Sequence, residues 1–364
     1  MAESRKSPVD LLRSAVRAMP GYTPGEQAVD SVKLNTNEGA YPPSPRVMAT
    51  LTAIGEDSLR LYPDPVSLRL RDAAARRYGV AIENVLAGNG SDDCLTILYR
   101  GFLEPGERVV CPWPTYGLYD TLASIQGAEL VRLPFRQLGR RYELPADLGR
   151  QRAKMIILAN PNNPSATLIP VEQLRALCDE VAEKAIVVVD EAYVDFALGA
   201  GIDASILPYL GQHANLAVLR TFSKSYSLAG ARLGLLFASP PVIEALTKIK
   251  DSYNVNAITQ ALGVAALEDR ASHESAVRRT LDERVRLERA LEEFGFSWPE
   301  SAANFLLVEI GDRAEEIYQA LKQEGLLVRW WRAPELRTKL RISVGRPEDN
   351  DRLLAALKTS VSTS

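Results

Sequence analysis

The chain has 364 residues, 46% of them hydrophobic and 24% charged, with a formal net charge of −3. That composition belongs to a globular protein with ample core and length for about two domains. The near-neutral balance offers no basic field to draw nucleic acid or a membrane surface. The longest apolar runs, such as 233–238, fall far short of the roughly 20 residues that span a bilayer. The first residues are polar and form no secretory apolar core, so a cytoplasmic protein is expected. Cys94, Cys111 and Cys178 are widely spaced and odd in number, which argues against a disulfide framework or a zinc cage. His213 and His273 are the only histidines, and neither has neighbours suited to a base or a metal set. Chemistry must run on Lys, Tyr, Asp and Arg, or on a cofactor.

Residues 1–30 read as a polar arm with one amphipathic stretch over 9–19. From about 80 to 240, β-rich apolar runs at 84–87, 108–111, 129–133, 155–159, 185–190, 216–221 and 233–238 alternate with helical patterns at 92–102, 116–125 and 171–181. This alternation predicts an α/β fold, a mainly parallel sheet covered by helices on both faces. Functional side chains in such sheets collect beyond the strands' carboxyl ends. After about 255 the rhythm changes. Val277, Leu281, Val285, Leu291 and Phe294 mark one face of a long charged helix ended by Gly295. A strand at 304–309, a helix at 314–324, strands at 326–330 and 339–344, and a helix after Pro347 predict a compact α+β unit. The expected division is an arm over 1–30, a large domain over 31–255 and a smaller domain over 256–364, on which the arm is free to pack.

The segment from Thr221 to Gly234 follows a predicted strand. It carries three serines, Thr221, Lys224 and Arg232. Thr221, Ser223 and Arg232 are suited to one phosphate group, since hydroxyls donate and guanidinium clamps dianions. A lysine beside a bound phosphate and a carbonyl-bearing ring is what Schiff-base chemistry requires. The segment resembles the lysine motif of fold-type I, pyridoxal-phosphate-dependent aminotransferases. Its pattern Ser223-Lys-x-x-x-Leu-Ala-Gly-x-Arg-x-Gly234 is similar to histidinol-phosphate aminotransferases and their close relatives. The resemblance implies that Lys224 carries pyridoxal 5'-phosphate, with Ser223 and Arg232 on the phosphate and Thr221 beside them.

Other motifs recur in that family's order. Asp190-Glu-Ala-Tyr193 ends the most apolar predicted strand. With the cofactor present, Asp190 would pair with the pyridine nitrogen and keep it protonated, so that the ring accepts electrons. The resemblance implies that Tyr193 and Asn163, of Asn160-Pro-Asn-Asn-Pro164, hold the ring's phenolic oxygen. Here the chain continues Ser165-Ala166 where the family has Thr-Gly. Gly88-Asn-Gly-Ser-Asp92 breaks the dinucleotide fingerprint, yet offers permissive backbone and a helix N-terminus to an anion. Ser91 and Asp92 are its candidate phosphate contacts, and Ser91 equally suits capping of the helix. Tyr116 is the candidate to stack on the ring, with Trp113 as its nearby rival. The resemblance implies that Tyr62, in Tyr-Pro-Asp-Pro, reaches the phosphate of a neighbouring subunit, which makes the protein a homodimer.

At the substrate end, the resemblance assigns Arg341 to the substrate anion and Arg329 beside it. Two converging guanidiniums suit a phosphate dianion better than a lone carboxylate. Asn37, Asn304 and Tyr22 match pocket or arm positions, and Tyr253-Asn254 resembles a further stretch near the site. Arg332 and Arg337 read as surface arginines. The implied reaction converts L-histidinol phosphate and 2-oxoglutarate to imidazole-acetol phosphate and L-glutamate, a step of histidine biosynthesis. An aminotransferase for aromatic amino acids and a decarboxylase resembling threonine-phosphate decarboxylase remain alternatives on the same motifs. A regulator with an added DNA-binding unit is disfavoured, because residues 1–30 are neither basic nor helix-turn-helix-like.

Overall fold

A computed structural model describes residues 7–19, 25–28 and 30–362, without side chains for the last two. The seven apolar runs are strands of one sheet: β1 Val85–Gly88, β2 Arg108–Trp113, β3 Glu129–Pro134, β4 Met155–Ala159, β5 Ile186–Asp190, β6 Leu216–Thr221 and β7 Gly234–Ala238. Their spatial order is β1-β7-β6-β5-β4-β2-β3. All run parallel except β7, which is antiparallel to both β1 and β6. The strands are apolar at successive residues because both faces are covered. In β4, Ile156 and Leu158 face one core while Met155 and Ile157 face the other.

Helices α1 Leu68–Tyr78, α2 Ser91–Phe102, α3 Leu118–Gln126, α4 Val171–Glu180 and α5 Ala257–Glu268 clothe the sheet. Leu95, Leu98 and Leu122 bring α2 and α3 to one face, while Leu70, Leu174 and Leu262 bring α1, α4 and α5 to the other. Since β1, β2, β4, β5 and β6 run the same way, their carboxyl ends share one edge. The antiparallel β7 starts at that edge, with Gly234 opposite both Thr221 and Gly88.

The C-terminal part follows α6 Arg270–Glu293. Strand β8 Phe305–Glu309 pairs antiparallel with β9 Lys339–Ser343 under α7 Ala314–Gln323 and α8 Pro347–Ser362. Its core joins Leu287, Leu306, Leu321, Leu340 and Leu353.

Four details differ from the expectation. The run 326–330 is a strand only at Leu326–Leu327, which pairs parallel with Val32–Lys33. Residue Leu34 lies in the C-terminal core, so 32–34 sit with that unit. Helix α5 packs in the large core against α1, because its apolar side meets Leu70. Val285 is exposed, whereas Leu287 is buried. Helix α6 packs through Val277 in a cluster with Tyr193 and Phe196 and through Leu287 and Leu291 in the C-terminal core.

Candidate active site

Beyond β6 the chain turns through Ser223 to Lys224. The Thr221 hydroxyl binds the turn, donating to Ser223 Oγ at 3.1 Å and accepting the Ser223 N–H at 3.2 Å. Lys224 Nζ donates to the Thr36 carbonyl at 2.8 Å and lies 5.7 Å from the centre of the Tyr193 ring. The loop 35–39 presses on this turn. A Cβ on Gly39 would stand 2.3 Å from Ser227 Oγ and 2.6 Å from the Lys224 carbonyl oxygen, so a larger residue would lift it. Burial lowers the Lys224 pKa to about 8, aided by the charge of Arg341 and opposed by Glu38 and Asp92. The ammonium faces a cavity of about 590 Å³.

One corner of that cavity is built for an anion. Gly90 has φ 88° and precedes the N-terminus of α2. A Cβ there would lie 2.7 Å from Arg232 Nη2, and one on Gly234 would lie 2.3 Å from the Ser91 nitrogen. Glycine at both positions lets the helix terminus, Arg232 and the Thr221–Ser223 hydroxyls converge. Arg232 itself has φ 53°, Nη1 at 3.5 Å from Ser223 Oγ and Nη2 at 3.2 Å from Asp92 Oδ2. The Asp92 carboxylate also accepts from the Tyr116 hydroxyl at 3.4 Å, which leaves its main-chain N–H as the group suited to an anion. Free helical N–H groups, a guanidinium and hydroxyls form a donor set suited to phosphate.

Asp190 ends β5 in the cavity wall and is 5% exposed. Its Oδ1 accepts the Ala192 N–H at 3.1 Å and its Oδ2 accepts the Tyr119 hydroxyl at 3.0 Å. Burial nevertheless raises its pKa to about 6. Tyr119 was not among the expected residues. Its one sequence signal is the spacing of three from Tyr116, which puts both rings on one side of a helical turn. The rings meet edge to face at 5.6 Å.

On the opposite wall, Asn37 Nδ2 donates to the Tyr193 hydroxyl at 3.1 Å, and Asn37 Oδ1 accepts from Ser343 at 2.8 Å. Burial raises the Tyr193 pKa. Arg341, on β9, donates to Asn163 Oδ1 at 2.6 Å and to the Asn35 carbonyl at 2.5 Å. Arg329 lies opposite Arg341 in an isolated bridge. The Trp331 ring, another residue the motifs did not mark, is 5.4 Å from each guanidinium. Ala166, in the family's glycine position, holds φ 63°, a region costly for a side chain.

Lys224, Asp190, Tyr193, Ser91, Asp92 and Tyr116 all line the cavity, as do Asn163, Thr221, Ser223, Arg232, Arg341, Arg329 and Asn37. Trp113 lines it too, beneath the Arg132 guanidinium at 4.6 Å. Asn304 does not: its amide donates to the carbonyls of Asn37 and Glu38 and so fastens the covering loop from behind. Tyr62 is 82% exposed and stacks on Tyr253 at 4.5 Å, away from this cavity. Asn254 turns inward instead, donating to the Ala87 carbonyl and Asp93. Tyr22 lies outside the described residues.

The chain matches the family model for aminotransferase class I and II over residues 29–357. It is 41% identical to histidinol-phosphate aminotransferase 1 of Nostoc sp., over 96% of this chain and 98% of that one. It is also 41% identical to the histidinol-phosphate aminotransferase of Synechocystis sp., over 95% and 97%. The crystal structure of histidinol-phosphate aminotransferase from Sinorhizobium meliloti in complex with pyridoxal-5'-phosphate superposes with a TM-score of 0.88 at 28% identity, covering 100% of this chain and 99% of that one. The L-threonine-O-3-phosphate decarboxylase of Porphyromonas gingivalis, 22% identical with a TM-score of 0.76 over 90% of this chain and 99% of that one, shares the fold.

Proposed function

Since this chain belongs to the class I and II aminotransferase family, we propose that it transfers an amino group from L-histidinol phosphate to 2-oxoglutarate with pyridoxal 5'-phosphate held at Lys224. Full-length similarity to relatives that bear this activity in their names supports the reading. The observation that carries the donor is the pairing of Arg329 with Arg341 at one end of the cavity. Two guanidiniums offer bidentate partners to a phosphate dianion, and the same pair suits the carboxylates of 2-oxoglutarate.

The donor set fits the cofactor. The corner of Ser91, Thr221, Ser223 and Arg232 would hold its phosphate, Lys224 its aldehyde carbon, Asp190 its ring nitrogen, and Tyr193 with Asn163 its phenolic oxygen. Tyr116 would lie on its face. When bound, pyridoxal phosphate supplies a protonated ring that takes up the electron pair of a breaking Cα–H bond. A pKa lowered to about 8 makes the Lys224 amine available for attack and for proton transfer. With the coenzyme bound, Nζ would take the proton from substrate Cα and hold it for the transfer that follows. Asp190, fixed by two donors, would hold the proton on the ring nitrogen. Tyr193 accepts from Asn37 and thus has its own hydroxyl proton to donate. Asn163 Oδ1 is engaged by Arg341, which leaves its Nδ2 to donate.

The protein acts in this reading as a cytoplasmic homodimer, with Tyr62 reaching the phosphate corner of the neighbouring subunit. Among the described residues no helix is long and apolar enough to cross a membrane. Mixing a Lys224→Ala chain with a Tyr62→Ala chain tests the shared site: some activity returns if each subunit completes the other's site, and none returns if sites are independent.

The substrate is tested by adding histidinol phosphate, phenylalanine or threonine phosphate to the holoenzyme and following the bound coenzyme's visible band. Bleaching by histidinol phosphate, reversed by 2-oxoglutarate, is expected. Preference for phenylalanine, or carbon dioxide released from threonine phosphate, would overturn the assignment.

A further inference from the structure

Among the buried groups around the cavity, Tyr119 has no place in the motif set, yet its hydroxyl ends on the carboxylate that closes the site. The side chain is fully buried. A phenol in such a place needs a partner, and the partner here is Asp190 Oδ2 at 3.0 Å. The residue is held at ring and backbone: its ring meets that of Tyr116 edge to face at 5.6 Å, and its main-chain carbonyl accepts from the Tyr99 hydroxyl at 3.3 Å. The hydroxyl is therefore delivered by a rigid helix rather than by a loop. Asp190 receives just one other donor in the hydrogen bonds described, the Ala192 N–H on Oδ1. With one donor on each oxygen, the plane of the carboxylate is set.

We propose that Tyr119 is a positioning residue that orients Asp190 and stabilises its charged form, so that the carboxylate is ready to pair with a protonated ring nitrogen. This rests on the reading of the cavity as a pyridoxal-phosphate site. Burial works against the charge of Asp190, as does nearby Asp92, while the Tyr119 bond and Lys224 work for it; the neighbouring Tyr193 phenol is itself kept neutral by burial. A hydroxyl donating to a charged acceptor is among the stronger hydrogen bonds and is lost cleanly in phenylalanine. The ring packing stays.

The test uses the purified chain stripped of coenzyme and refilled. Two coenzymes are compared by equilibrium dialysis: pyridoxal 5'-phosphate and its 1-deaza analogue, in which a carbon replaces the ring nitrogen. Tyr119→Phe should weaken binding of the natural coenzyme about tenfold and leave binding of the analogue within about twofold. In an Asp190→Asn background the same substitution should add nothing, because the charged acceptor is gone. Unchanged affinity for the natural coenzyme in Tyr119→Phe would overturn the proposal, as would an equal loss for both coenzymes, the mark of a merely structural role. Failure of the unmodified chain to bind either coenzyme would instead overturn the reading of the cavity, together with the inference built on it.

Discussion

Arg329 and Arg341 exchange both of their main-chain hydrogen bonds, Arg329 N–H to Arg341 O at 3.0 Å and Arg341 N–H to Arg329 O at 2.8 Å. Directly opposed residues of an antiparallel bridge send their side chains to the same face. One short bridge thereby sets two guanidiniums on one wall of the cavity, though twelve positions separate them in the chain.

This pairing predicts unequal costs. Arg341→Lys loses the fork that binds Asn163 and the Asn35 carbonyl and, in the proposed reading, substrate, so the KM for a phosphate-bearing donor should rise about a hundredfold. Arg329→Lys should raise it about tenfold. Steady-state kinetics decides, with equal effects of the two substitutions contradicting the asymmetry.

Trp331 lies against both guanidiniums. Cation–π contacts are worth about 0.5–2 kcal/mol. Trp331→Ala should therefore raise the KM of the same donor several-fold with little change in kcat, and Trp331→Phe should restore most of the loss.

Lys224 gives a pH signature in the coenzyme-free chain. Its pKa falls from an ordinary 10.5 to about 8 because burial penalises the charge. The unfolded chain then holds this proton more tightly than the folded one, so stability rises with pH between about 8 and 10.5 on its account. Below 8 the penalty is fully present. Relative to Lys224→Met, the unmodified chain should gain stability across that window, as measured by urea unfolding at pH 7, 8.5 and 10. A difference independent of pH would contradict the shift.

Behind the lysine turn, Arg220 is buried between Glu191 at 2.8 Å and Asp195 at 3.0 Å, and Asp195 also accepts from Ser225. Removing one partner of a buried ion pair costs about 3–5 kcal/mol. Asp195→Ala should lower the denaturation free energy by that order and free Ser225, the residue after Lys224. Chemical denaturation of the coenzyme-free chain checks it.

Much of this was legible in the order of residues. Unbroken apolar runs such as 155–159 and 186–189 are buried on both faces of a sheet, and their spacing from helical patterns is a local property that needs no partner. The turn after Thr221 and the glycines at 88 and 90 are likewise local, since φ preferences and hydroxyl–backbone bonds act within a few residues. Asp190 could be singled out only together with the other motifs, because acids that end strands are common in α/β folds.

What required the folded chain was which distant groups meet. Tyr119 reaches Asp190 because β2 lies beside β4 and β4 beside β5, an order that no periodicity encodes. Asn304 matches a pocket position, yet just before β8 its amide donates to the loop 37–38 instead. Lys224 meets the Thr36 carbonyl only because residues 32–34 join the C-terminal unit and draw the loop 35–39 over the turn. Side-chain periodicity reports which face is apolar; the pairing of faces is settled by close packing and hydrogen-bond satisfaction over the whole molecule.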